Sequence, residues 1–242
     1  MHAGIVTGVS RGLGEALAVA MLARGFVVLG IGRTPSPKLK GKRYYHAGCD
    51  LAQPALLAAV VTPAMRFITA ENPTSVTLIN NAAVATPTGL AGRLDAAEIE
   101  LAFATNVAAP LVMADLFFRS FTVDSIERRI INISSGAAQN ALAGSAAYSM
   151  SKAALEMLTH SLVVEHTAPR FRCISLRPGI FETGMQAYMR SLDPAEFPSV
   201  GLFRGFKANG LLKDPAEVAA KIVDKLVLAP VENGRTYSHT DL

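Results

Sequence analysis

Residues 3–14 read AGIVTGVSRGLG, and residues 15–25 continue EALAVAMLARG. Ala3–Thr7 is a short apolar run that ends at Gly8, the signature of a buried strand. Leu13–Arg24 has the spacing of a helix, with Leu13, Leu17 and Met21 on one face and Gly25 just past its end. Two chemistries compete for the turn between them. Gly8–Gly12 (GVSRG) fits G-x-S-x-G, the strand-to-helix elbow that would make Ser10 a nucleophile. That elbow ordinarily follows several strands, whereas this turn follows the first, and the elbow gives Gly14 no task. Three glycines at a strand-to-helix turn instead let the backbone approach a pyrophosphate and let the helix pack on the strand. The free N–H groups and positive dipole end of the helix then face the phosphates. On this reading the phosphate-binding segment runs Gly8, Ser10, Arg11, Gly12, Leu13, Gly14.

Beyond this unit the chain repeats its rhythm. Phe26–Ile31, Tyr44–Ala47, Val76–Ile79, Ile130–Ile133, Arg172–Leu176 and Arg235–Tyr237 read as further strands. Pro54–Ala70, Leu94–Thr122, Ala146–His166 and Pro215–Leu228 read as helices, the second interrupted near Pro110. Strands that are continuous apolar runs and alternate with helices form a parallel sheet covered on both faces. The expectation is one α/β domain over residues 1–242. It would be a Rossmann-type, doubly wound parallel sheet of about seven strands with helices on both faces. Residues 182–213 break the rhythm with Met185, Met189, Phe197, Phe203 and Phe206 among Pro, Gly and Ser. Such an excursion reads as a substrate lid.

Half of the 242 residues are apolar, only 17% are charged and the net charge is +4. The one basic cluster, Lys38–Arg43 (KLKGKR), reads as a solvated loop or a phosphate-facing rim. No basic stripe with interleaved aromatics accompanies it, so nucleic acid is not an expected partner. Cys49 and Cys173 lie far apart, without the spacing of a disulfide framework or a metal site. The chain enters a strand directly after Met1, and no uncharged apolar run has the length of a membrane span. A cytoplasmic protein without a membrane partner or a bound metal is expected.

The end of the second strand should face an adenosine ribose. Folds that choose NAD carry an acidic residue there. Here Gly30–Thr34 (GIGRT) offers none, and Arg33 is placed to meet a 2′-phosphate, with Arg11 nearby. The cofactor expected is therefore NADP(H). In the middle of the chain, Tyr148 and Lys152 stand four residues apart on one helix face. A nearby ammonium favours the tyrosinate, which would lower the phenol pKa and give a general acid/base. Ser135, just past the strand Ile130–Ile133, can donate to a carbonyl oxygen and accept from a phenol. Ser134 should point the other way if the pleat continues. Asn106 is a polar residue of poor helix propensity among Phe103, Val107, Pro110 and Leu111.

Taken together these segments resemble the short-chain dehydrogenase/reductase family along essentially the whole chain. The matching motifs are TGVSRGLG (Thr7–Gly14), Asp50 with Leu51, NNAA (Asn80–Ala83) and Asn106. INISSG (Ile131–Gly136), YSMSK (Tyr148–Lys152) and RPGIFET (Arg177–Thr183) complete the series. The resemblance implies that Tyr148 is the acid/base, Lys152 holds the nicotinamide ribose, Ser135 orients a carbonyl and Asn106 holds a water in a proton relay. It also implies that Asp50 meets adenine and that Leu51 is a cofactor-binding residue. Asn80 would meet the cofactor's adenosine side and Ile180 and Thr183 its carboxamide, with Asn81, Ala82, Pro178 and Gly179 also among the cofactor-binding residues. Ala83 departs from the usual glycine. Within the family, INISSGAAQN, PGIFETGMQAYMRS and Glu196–Pro198 are similar to the branch of sepiapterin and benzil reductases. The acidic pterin anchor of the former is Ser238 here, with Asp241 nearby. The activity implied is an NADPH-dependent ketone or diketone reductase. A 3-oxoacyl-thioester reductase, a sepiapterin reductase and a non-catalytic NADP-sensing protein are the alternatives. Pairing into a homodimer or homotetramer is implied as well.

Overall fold

A computed structural model describes residues 1–122 and 125–242. Seven parallel strands form one sheet: β1 (His2–Thr7), β2 (Val27–Gly32), β3 (Tyr44–Gly48), β4 (Ser75–Asn80), β5 (Glu127–Ile133), β6 (Phe171–Arg177) and β7 (Thr236–Ser238). Their order is β3-β2-β1-β4-β5-β6-β7. The chain winds outward from β1 to β3, then returns to place β4 on the other side of β1. The switch point between β1 and β4 opens a crevice at the carboxyl ends of these strands, where ligands bind in open α/β sheets.

Alternate residues of each strand serve opposite faces. Ile5, Leu29, Leu78, Ile130 and Cys173 enter one core, with Leu57, Met113 and Phe117. Val6, Val28, Ile79, Ile131 and Ile174 enter the other, with Leu17, Met21 and Ile222. The first core is covered by α2 (Leu57–Thr69), α4 (Ala109–Ser120) and α5 (Ala146–Glu165). The second is covered by α1 (Gly12–Ala23) and the helix Pro215–Ile222 with its continuation Val223–Leu228. Because both faces are buried, the strands need apolar residues at every position, and that is why they read as continuous runs.

Three of the differences from expectation bear on the site. β5 starts three residues earlier than its apolar run, at Glu127, because Arg128 is itself buried and donates to the Phe121 carbonyl at 3.0 Å. The long helix is α3 (Ala96–Phe103) joined to α4 by a π-type turn over Ala104–Ala108, just ahead of Pro110. Over Ala96–Ser120 it has the length and hydropathy of a membrane span, and half of its most apolar window is buried in the protein. The expected lid is not irregular: it contains α6 (Gly184–Ser191) and α7 (Val200–Ala208). Completing the numbering, α8 is Pro215–Ile222.

Candidate active site

The glycine turn is held by its backbone. Gly8 and Gly12 have φ of +75° and +64°, the left-handed region that glycine enters without a Cβ penalty. Gly14 serves packing: a Cβ there would lie 2.2 Å from the Gly8 carbonyl oxygen, so α1 could not rest on the turn. No side chain caps the first turn of α1, which leaves its N–H groups open to an anion. Ser10 has no histidine partner among the described residues, so the nucleophile elbow lacks its base.

Across the crevice, Thr7 Oγ1 accepts from the main-chain N–H groups of Asn81 and Ala82, each at 3.0 Å. Asn81 Nδ2 donates to the Thr7 carbonyl at 2.9 Å. Asn80 lies deeper: it is 2% exposed, its Nδ2 donates to Asn132 Oδ1 at 2.9 Å, and its own Oδ1 has no partner. Arg33 is exposed past β2 and makes no hydrogen bond or ion pair among the described residues. Asp50 Oδ1 accepts from Ala52 N at 3.0 Å, and Leu51 is buried. In the loop Lys38–Arg43, Lys38 pairs with Glu15 at 2.9 Å and Leu39 is buried. The loop after β6 reaches back over the glycine turn. The Thr183 methyl would be 3.5 Å from a Cβ on Gly12, and Thr183 caps α6 through Gln186 N. Gly179 has φ +84° and packs on His239, with Pro178 and Ile180 on either side of it.

Ser135, Tyr148 and Lys152 come together where β5 ends against α5. The pleat does send the two serines apart. Ser134 Oγ donates to Glu156 Oε1 at 2.6 Å, whereas Ser135 caps the 3-10 turn Gly136–Ala138 and faces the Tyr148 phenol. Lys152 is 2% exposed, and its Nζ donates to the Ile133 carbonyl at 2.7 Å and lies 5.6 Å from the Tyr148 ring centroid. Burial pushes the Lys152 ammonium down to about 8. It is still roughly nine-tenths protonated at pH 7, one unit below that value. Burial pushes the Tyr148 phenol up, and the Ser135 hydroxyl pulls it back in part. The expected lowering by Lys152 is therefore not what this geometry yields: desolvation of the phenolate sets the direction.

Asn106 is fully buried in the π-type turn. Its Oδ1 accepts from Val84 N and its Nδ2 donates to Val84 O, both at 2.9 Å, and to Ser151 Oγ at 3.1 Å. It thus ties the loop after β4 to α5, one residue from Lys152. The poor helix propensity that singled it out has this as its reason.

Residues 182–213 close over Tyr148. Phe181 and Lys213 form a β-bridge that joins the two ends of the excursion. Met189, Phe197, Val200 and Phe203 form a small core with Ala85, and the Tyr148 ring, Leu142 and Met185 pack against it. Ser199 Oγ fastens the excursion to the Ala143 carbonyl at 2.9 Å. Asp241 is committed locally: it accepts from Ser238 N and from Arg235, both at 2.7 Å. Sequence reasoning missed Glu156 and gave Arg177 no role, although the two form a close ion pair beside Ser134. The usable signal was spacing, since Glu156 extends the Tyr148–Lys152 face by one more turn.

The short chain dehydrogenase family profile matches residues 3–193. The chain is 33% identical over 235 residues to a benzil reductase ((S)-benzoin forming) of Bacillus subtilis (strain 168), covering 96% of each. It is 30% identical over 256 residues to a sepiapterin reductase of Meriones unguiculatus, covering 98% of this chain and 94% of that one. Among solved structures it superposes on the KRED1-Pglu enzyme with a TM-score of 0.83 at 25% identity, over 98% of this chain and all of that one. At 18% identity and a TM-score of 0.74, over 98% of this chain and 96% of the other, the same fold occurs in a 4-hydroxyisoleucine dehydrogenase complexed with NADH. With the glycine turn, the serine–tyrosine–lysine cluster and these likenesses in one chain, the protein belongs to the short-chain dehydrogenase/reductase family, oxidoreductases that act on CH–OH and C=O groups with a nicotinamide cofactor.

Proposed function

We propose that the chain is an NADPH-dependent reductase of apolar ketones and vicinal diketones, a benzil reductase-like enzyme. The observation that carries the reading is the double environment of Tyr148. One side of it meets Ser135 and Lys152, and the other packs on the apolar core of residues 182–213. A carbonyl at the phenol would thus have an aromatic or aliphatic substituent beneath the lid.

The residues present fit a dinucleotide. Gly8, Ser10, Arg11, Gly12, Leu13 and Gly14 would hold the pyrophosphate at the uncapped start of α1, and the unpaired Arg33 would take a 2′-phosphate. Asp50, Leu51, Asn80, Asn81 and Ala82 would line the adenosine side, and Pro178, Gly179, Ile180 and Thr183 the carboxamide. When bound, the cofactor supplies the hydride for the carbonyl carbon. Tyr148 gives its proton to the carbonyl oxygen, and a phenol with a raised pKa is fully protonated at neutral pH for that step. Ser135 donates to the same oxygen and stabilises its developing charge. The Lys152 ammonium then lies beside the phenolate left behind. Asn106 would hold a relay water, as the family likeness implies.

Asp241 is committed to Ser238 and Arg235, and among the described residues it is the carboxylate nearest Ser238 in sequence, which favours a neutral diketone over a pterin. Leu111 of α4 and Met150, Met157 and Val164 of α5 expose apolar surface, which supports pairing as a homodimer or homotetramer. The two free cysteines suit a cytoplasmic setting. The reading assigns no nucleic acid or membrane as partner. NADPH oxidation across diketones, pterins and 3-oxoacyl thioesters tests it. Turnover greatest with diketones is expected. Preference for a thioester or a pterin would overturn the substrate class, and binding without oxidation would make the protein a sensor.

A further inference from the structure

Three consecutive residues at the end of β5 are each matched to α5. The Ile133 carbonyl accepts from Lys152 Nζ at 2.7 Å, Ser134 Oγ donates to Glu156 Oε1 at 2.6 Å, and Ser135 faces Tyr148. The three helix partners, Tyr148, Lys152 and Glu156, are spaced by four residues and share one helix face. Tyr148, Lys152 and Ser135 have roles in the proposed chemistry, and Glu156 has none.

Arg177, the last residue of β6, grips Glu156 with two hydrogen bonds: Nε to Oε1 at 2.8 Å and Nη2 to Oε2 at 2.6 Å. Its third contact, Nη1 to Gln139 Oε1 at 2.5 Å, reaches the residue that follows the 3-10 turn Gly136–Ala138. Ser135 is the cap of that turn. The segment carrying Ser135 is therefore anchored before it, by Ser134 on Glu156, and after it, by Gln139 on Arg177. The first anchor is the Glu156 carboxylate and the second is the guanidinium that grips it. The side chains of Arg177 and Glu156 are only 19% and 14% exposed, and the two-point grip fixes orientation as well as distance. An ion pair that merely held β6 to α5 would need neither Ser134 nor Gln139.

We infer that Glu156 is a positioning residue, which with Arg177 as its clamp sets the Ser135 turn in register with Tyr148 and Lys152. The inference deepens the reductase reading and rests on it for its effect on turnover. A hydroxyl displaced by even an ångström loses its alignment with the reacting oxygen, a misplacement that costs on the order of 100-fold in rate. The register itself is a property of the chain and can be read without turnover.

Glu156→Gln keeps the size and removes the charge. The expected result is a fall in kcat of at least about 10-fold with NADPH affinity unchanged, because the misplaced group acts on the reacting oxygen and not on the dinucleotide. Hydrogen exchange should quicken in residues 134–142 in the same variant. Gln139→Ala frees only the far anchor, so faster exchange confined to residues 138–142 and a smaller loss of kcat are expected. It also serves if Glu156→Gln does not fold. Glu156→Asp, which restores the charge on a shorter arm, should recover part of the rate. Unchanged exchange at 134–142 in Glu156→Gln, or in Gln139→Ala where it alone folds, overturns the inference. So does faster exchange with unchanged kcat. If the wild type reduces no ketone, the reductase reading fails, and the exchange comparison still decides whether Glu156 sets the turn.

Discussion

At the β1 end of the site, position is fixed by the sheet. A Cβ on Gly14 or Gly8 would crowd backbone, Gly12 holds a left-handed φ, and Thr7 stitches this turn to the loop after β4. At the lid end, position is fixed by side chains. Residues 182–213 hang from the Phe181–Lys213 bridge and rest on Tyr148, Leu142 and Ala85 through a small apolar core of their own. The first end resists substitution at Gly8 and Gly14, where a Cβ would meet backbone, which cannot yield. The second can be repacked, since apolar contacts are non-directional and volume can be exchanged. In the proposed function, the rigid end would recognise the dinucleotide and the adaptable one would choose the ketone.

Gly14→Val should produce the largest effect. The new Cβ collides with the Gly8 carbonyl, α1 must move off the turn, and NADPH affinity should fall by more than about 1000-fold, ~4 kcal/mol. Retained binding by calorimetry would show that the turn is less rigid than this. Phe197→Ala probes the other end. Phe197 is fully buried in the lid core, so the change should cost about 3 kcal/mol there. Faster hydrogen exchange over 182–213 and a raised KM for diketone are expected, with NADPH binding intact. Global unfolding instead would join the two ends into one unit.

Arg33→Ala should weaken NADPH by roughly 10- to 100-fold, the worth of charged hydrogen bonds, and leave NADH unaffected. Equal loss for both dinucleotides would remove Arg33 from the 2′-phosphate. The smallest effect concerns Lys152. Its folded pKa of about 8 lies below the unfolded 10.5, so the unfolded chain holds the extra proton between those values. The stability it contributes therefore rises with pH across that window. Lys152→Met should be more stable than wild type at pH 7. About 3 kcal/mol of desolvation is relieved, and the lost Ile133 hydrogen bond offsets most of it, leaving ~1 kcal/mol. Denaturant titrations should show that advantage shrinking as pH rises above 8.

The same contrast explains what was legible in the sequence. Gly14 and the apolar runs of β1, β2 and β4 are local statements about backbone, and they announced the fold and the crevice directly. Asn106 stood out by its poor propensity, but the π-type turn that presents it depends on tertiary contact with Val84 and Ser151. The two lid helices were hidden because their apolar residues serve a private core and are interleaved with Pro and Gly. Glu156 drew no reading from the sequence, because only the fold brings Ser134 of the β5 end and Arg177 of β6 to it. The direction of the Tyr148 pKa was misjudged because residue spacing reports the lysine but not the depth of burial.

The central claim is that Tyr148 delivers the proton in a ketone reduction fed by NADPH. Single-turnover oxidation of NADPH by benzil, followed side by side in wild type and Tyr148→Phe, tests it most directly. The account predicts rapid oxidation by the wild type and a loss of at least about 1000-fold in the variant, within the range of general acid catalysis, with NADPH still bound. A variant that oxidises NADPH at the wild-type rate would contradict it.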